Sequence, residues 1–194
     1  MTHSFIKARG FTLVEMMVSV AIFAIVMTIS LGALLSMSES DRKSQTLKSV
    51  INNLNFSMDS MSRSIRTGQS YHCDISQGSI SSARDCPTTA ATSFAFQAAD
   101  GATVSYCLYN NSILREITPA GSTPDASCAA SGFGPITSSE VHIDSLNFYV
   151  TGSAIGDGIQ PKVTILISGE VVVTATQKSA LNLQTSITQR VYDQ

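Results

Sequence analysis

No charged side chain occurs between Met16 and Met37, and the run MMVSVAIFAIVMTISLGALLSM is apolar on every helical face, broken only by Ser, Thr and Gly. At helical rise this run is long enough to cross a hydrocarbon layer of roughly 30 Å. The pattern then changes. After the polar stretch SESDRK, apolar residues return at Leu47, Val50, Ile51, Leu54, Met58, Met61 and Ile65. These steps of three and four define one face of an amphipathic helix. Gly68 follows and offers a stop. A helix continuous from Thr12 to Thr67 would extend about 84 Å, far beyond a bilayer, so its second half is expected to belong to a folded head. Gly32 weakens the first half by about 1 kcal/mol relative to alanine, or else allows close helix packing.

Beyond Gly68 the signals are those of strands and loops. Tyr71 to Ala91 reads as an irregular loop, Thr92 to Gln97 alternates, and Thr103 to Tyr109 and Ser112 to Ile117 flank Asn110-Asn111. Asparagine tolerates positive φ, so that pair predicts a tight hairpin. Thr118 to Ser139 is rich in Gly, Ser and Pro. Val141 to Val150, Lys162 to Ile167 with Val171 to Thr174, and Leu181 to Val191 read as further strands of a mostly antiparallel sheet. One long helix followed by hairpins predicts an α+β fold, with the amphipathic half of the helix packed on the sheet.

Composition narrows this picture. The 194 residues leave room for one head and one stalk. The 12 basic and 14 acidic side chains, with no large basic patch, give no reason to expect duplex nucleic acid as a partner. Cys73, Cys86, Cys107 and Cys128 all follow the apolar run, without C-x-x-C spacing or a nearby histidine pair to suggest zinc. Disulfides are the better reading, and they place the head outside the cytoplasm. Three pairings are open; Cys73 with Cys86 and Cys107 with Cys128 is favoured because each closes a short loop.

The chain begins MTHSFIKARG, and Lys7 and Arg9 ahead of an apolar segment orient that end toward the cytoplasm. A secretory signal peptide is cleaved after its apolar region at a small-x-small site. Here the apolar stretch is longer than that, and Glu15 sits just inside its start, where a carboxylate needs compensation unless it stays at headgroup level. Gly10-Phe11-Thr12-Leu13-Val14-Glu15, with a basic leader before it and an unbroken apolar helix after it, resembles the type IV prepilin signal. The resemblance implies cleavage between Gly10 and Phe11 by a membrane prepilin peptidase and N-methylation of Phe11. It also implies that Glu15 pairs with the terminal amine of a neighbouring subunit, which neutralises both charges in an apolar bundle. Glycine at the cut site presents no side chain to the peptidase. The pilin-like arrangement divides the chain into a leader (1–10), a membrane or filament-core helix (11–37), its amphipathic continuation (38–67) and an extracytoplasmic β-rich head (68–194). The segments YCLYNNSILREI, QPKVTILISG and LQTSITQR further resemble minor pilins and type II secretion pseudopilins of the J kind.

No catalytic constellation emerges: His3 lies in the leader, His72 adjoins a cysteine, His142 sits in an alternating strand, and no nucleotide or hydrolase fingerprint is present. Asp157-Gly158 offers one carboxylate where calcium wants six to eight oxygens, so an ordinary turn is expected there and no metal or cofactor is called for. The expected function is that of a structural subunit, a minor pilin or pseudopilin that primes assembly or sits at a filament tip. The alternative is an anchored extracytoplasmic binding or adhesion protein. The expected partners are other pilin or pseudopilin subunits, the prepilin peptidase and the inner membrane, with no specific nucleic acid or small molecule. The expected location is the inner membrane first, then the pilus or pseudopilus.

Overall fold

The computed structural model describes residues 10–174 and 177–190. Lys7, Arg9 and His3 of the leader, and Val191 at the end of the last expected strand, lie outside the described residues. The chain divides into two compact units, Met1–Gln45 and Thr46–Gln194. A single α-helix, α1 (Leu13–Thr67), contributes to both.

In the first unit the apolar side chains of α1 are exposed, from Leu13 at 76% to Met37 at 68%. Three of its hydroxyls are satisfied within the helix: Ser19, Thr28 and Ser30 donate to the carbonyls of Glu15, Ala24 and Val26, at 2.7, 2.8 and 2.8 Å. These bonds to the preceding turn let polar residues sit in an apolar surrounding without an unpaired donor. By length and composition the helix can cross a membrane.

In the second unit, α1 buries Val50, Leu54, Ser57, Met61 and Ile65. Leu47 and Met58 of the expected face are partly buried against the core. Ile51 is not in the core; it remains 40% exposed, about 100° around the helix from Val50. Ser57 occupies the apolar stripe instead, and its hydroxyl donates to the carbonyl of Ile136. The helix ends where Gly68 begins, because the backbone there runs against a ring: a Cβ on Gly68 would stand 2.2 Å from Cδ2 of Phe96.

The strands form two antiparallel sheets rather than the single one expected. Sheet A has five strands, in the order β1 (Gln69–Cys73), β3 (Ser93–Gln97), β4 (Thr103–Tyr109), β5 (Ser112–Thr118) and β6 (Gly134–Pro135). Sheet B has four, in the order β2 (Cys86–Ala91), β7 (Val141–Thr151), β8 (Lys162–Thr174) and β9 (Gln177–Thr188). Alternation along each strand reports which side chains are buried, but not which strand lies beside it, and this is why the split was not legible.

The sheets share one core. Phe94 of sheet A stacks on Phe148 of sheet B with centroids 5.4 Å apart, and Tyr71 meets Phe94 edge-on at 5.5 Å while donating its hydroxyl to the Ile65 carbonyl of α1. The β4–β5 hairpin closes through Asn110 and Asn111 at φ 48° and 59°, the left-handed pair its two-residue turn requires. At its tip Ile143 N–H donates to the Asn111 carbonyl, which fastens the hairpin to β7.

Two segments differ from their expected form. The supposed irregular loop from Tyr71 to Ala91 contains β1 and β2 at its ends, because each finds a partner strand distant in sequence. The two runs after Lys162 are one strand, β8, passing through Ser168-Gly169-Glu170. Gly169 makes this possible: a Cβ there would lie 2.2 Å from the His142 carbonyl oxygen, beside the bulge between Ile143 and Ser145.

Candidate processing and assembly site

At the start of α1, Thr12 is the capping residue: its Oγ1 accepts the N–H of Glu15 at 3.3 Å and its carbonyl accepts the N–H of Met16 at 3.2 Å. Thr12-Leu13-Val14-Glu15 has the spacing of a capping box, with the acidic residue at the third helical position. That spacing was readable in the sequence, yet Thr12 was not singled out there as a site residue. The consequence is electrostatic as well as geometric. Glu15 lies in the first turn, where unpaired N–H groups carry a partial positive charge, so the helix itself favours a carboxylate by about 0.3–1 kcal/mol.

Gly10 immediately precedes the helix and is exposed, and a Cβ added to it would meet nothing within 4 Å. Phe11 is 76% exposed. Gly10, Phe11 and Glu15 are therefore gathered on one exposed helix start followed by an exposed apolar stem. The backbone at Gly10 is accessible to an enzyme, and the carboxylate of Glu15 is accessible to a partner.

Residues 6–31 match the prokaryotic N-terminal methylation motif. The chain carries a type IV pilin-like prepilin signal. The match spans the end of the leader and the apolar half of α1, and leaves the head untouched. No curated protein and no solved structure matches the chain. A prepilin signal implies processing by a prepilin peptidase and assembly with other pilins, and together with the apolar helix it is consistent with membrane anchoring.

The other sequence-predicted residues lie in the second unit. Cys73 is bonded to Cys86 and Cys107 to Cys128, with Cα–Cα distances of 6.0 and 6.1 Å. The first bridge joins the last residue of β1 to the first residue of β2, and so ties sheet A to sheet B. The second ties β4 to the loop that follows β5.

Of the described histidines, His72 lies on β1 and His142 on β7. His142 is exposed on β7. His72 is buried, with Nδ1 2.7 Å from the Ser82 carbonyl and Nε2 2.8 Å from the Gln77 carbonyl, so its ring bridges the turns between β1 and β2. Asp157 accepts the N–H of Ile159 at 2.7 Å in a turn bounded by Gly156 and Gly158, both at positive φ. Among the described residues no three His, Cys, Asp or Glu side chains group as metal ligands. Asp85, which sequence reasoning passed over, accepts the N–H groups of Gly152 and Ser153 at 3.0 and 2.9 Å and pins the end of β7 to the segment before β2.

Proposed function

We propose that the chain is a minor structural subunit of a type IV pilus-like or type II secretion filament, one that primes assembly or sits at the tip. The observation that carries the reading is the methylation motif on an exposed apolar helix whose first turn presents Glu15. Cleavage falls between Gly10 and Phe11, Phe11 becomes the methylated terminus, and Glu15 meets the terminal amine of the neighbouring subunit. The stem then has a use: its apolar side chains are covered by lipid before assembly and by other subunits afterwards. The head faces away from the cytoplasm, in keeping with its two disulfides. A head of two sheets, stapled twice, is large for a densely repeated unit, which favours the minor role.

Intact mass and N-terminal sequencing of the mature protein from its native membrane test the processing step. A chain beginning at methylated Phe11 is expected, whereas retention of Met1 or a start near Ser38 refutes the reading. Gly10 touches nothing, so a bulky substitution there blocks processing without disturbing the head. For the assembly step, removing the carboxylate with Glu15→Gln leaves a partner's amine buried and unpaired, a loss of about 3–5 kcal/mol per contact. Filament number in the host should then fall steeply at normal subunit level. Unchanged filaments on complete loss of the subunit would refute priming.

A further inference from the structure

The second unit leaves apolar surface uncovered in two places that match each other. The first is the loop between β7 and β8. Its base is pinned from both sides: Asp85 accepts the N–H groups of Gly152 and Ser153, and the Gln160 side chain donates to the Gln189 carbonyl at 2.6 Å. A Cβ on Gly152 would stand 2.7 Å from Cγ2 of Ile159, so the two limbs run close together. Everything from Ala154 to Ile159 is exposed. Ile155 is 80% and Ile159 57% exposed on either side of Asp157, and Gly156 and Gly158 at positive φ shape the turn between them. Single exposed isoleucines are ordinary; two of them flanking a carboxylate on a fixed projection make an apolar patch with a charge at its centre.

The second is a groove of about 340 Å³ between α1 and sheet A. Buried Met61 and Tyr106 form its floor, Phe56 and Ser60 line it from α1, and Arg115 of β5 and Ile136 line it from the sheet side. Phe56 is 76% exposed, although its neighbour Ser57 is buried against Ile136. Arg115 stands opposite Tyr106 in the β4–β5 register and interacts with its hydroxyl. Arg115 has no acidic partner among the described residues. Two residues along β5, on the same sheet face, Ile117 is also exposed. A guanidinium held over an apolar floor pairs best with a planar carboxylate, and the rings and methyl groups around it are best covered by aliphatic side chains.

We propose that the β7–β8 loop of one copy of this chain docks in the α1–β5 groove of a second copy, with Ile155 and Ile159 against Phe56 and Ile136 and with Asp157 meeting Arg115. The groove asks for apolar side chains beside one carboxylate. Among the exposed large apolar residues of the second unit, Ile155 and Ile159 alone bracket an exposed acid. Within one chain both surfaces stay exposed, so the loop does not fill its own groove. Asp157 accepts the N–H of Ile159 through Oδ1, which fixes its carboxylate at the tip. Loop and groove are different patches, so each copy offers its loop to one neighbour and its groove to another. Contacts of this kind extend in rows unless the rotation closes a ring, and rows are what a filament is made of. The inference rests on the filament reading for its setting and names a neighbour within it, while the contact itself belongs to the second unit.

The test uses the full chain purified from its native membrane into detergent micelles, followed by sedimentation velocity over a concentration series at low and high salt. Association that grows with concentration is expected, and it should weaken at high salt because the Asp157–Arg115 pair is screened. Asp157→Arg and Arg115→Glu should each weaken it at least about tenfold. Mixing the two variants should restore it, since the new arginine meets the new glutamate and the native acid of the one meets the native arginine of the other. Recovery in the mixture shows that neither variant had merely misfolded. Ile155→Ser, at an exposed position, should weaken association while leaving the thermal unfolding of the chain unchanged. No association up to about 1 mM would overturn the proposal. So would a mixture that fails to recover, or association that all the variants retain and that therefore resides in the stem. N-terminal sequencing of the same sample separates the two readings: methylated Phe11 without this contact sinks the docking alone, and the contact with Met1 retained sinks the filament reading alone.

Discussion

Replacing Cys73 and Cys86 together by alanine removes the disulfide that joins the two sheets, at the point where β1 ends and β2 begins. The bridge closes a loop with a sequence separation of 13, and restoring that freedom to the unfolded chain costs about 3 kcal/mol. Alanine retains Cβ at both sites, so little packing is lost besides the sulfurs. For a head of this size the loss corresponds to a melting temperature lower by about 6–12 °C. The effect should also be local. β2 pairs with β7 through Cys86 opposite Val150 and Ala91 opposite Phe148, with an irregularity between them. Without the bridge, amide hydrogen exchange in Cys86–Ala91 should quicken ahead of β7 and β8. Urea unfolding of the mature chain in detergent, followed by tyrosine fluorescence, measures the first quantity: Tyr71 and Tyr106 are buried and the chain has no Trp. Exchange mass spectrometry measures the second. A loss under about 1 kcal/mol, or exchange in β2 equal to wild type, would refute the view that this bridge holds the sheets together.

Further perturbations follow from single contacts. Gly68→Ala drives a methyl into the Phe96 ring and should destabilise the head by about 1–3 kcal/mol in the same urea assay. Met61→Ala empties a fully buried position on α1 and should cost about 2–5 kcal/mol, whereas Ile51→Ala on the exposed flank should cost far less. Asp74 supplies a pH signature. Its partial burial would raise its pKa, but hydrogen bonds from Ser76 and Gln77 and the charge of Arg84 together hold it below the ordinary value. Because the folded pKa is the lower one, its stabilisation is present above about pH 3.9 and is lost as pH falls through the folded value. Urea midpoints measured across that window should show a step that Asp74→Asn flattens. Thr12→Ala removes the cap at the start of α1 and should lower helicity in the stem's first turn by about 1 kcal/mol, read as faster exchange there.

The sequence by itself determined the long helix, its change from all-round apolar to one-sided, the β4–β5 turn and the prepilin signal. Each is local: helical periodicity, a charge-free run, two asparagines suited to positive φ and a contiguous motif are all properties of neighbouring residues. The motif that holds Gly10, Phe11 and Glu15 was legible for the same reason. Only the tertiary structure decided the division into two sheets, the entry of Ser57 in place of Ile51 on the buried stripe, and the strand character of Gln69–Cys73 and Cys86–Ala91. These depend on partners far along the chain, which local pattern does not encode. The burial of Glu116 opposite Ser105 and beneath Asp125 and Gly132 is of that second kind. Glu116 occupies a polar position in an alternating strand and would read as solvent-facing. A disulfide-tethered loop lies over it, and only the folded chain brings Asp125 to Glu116.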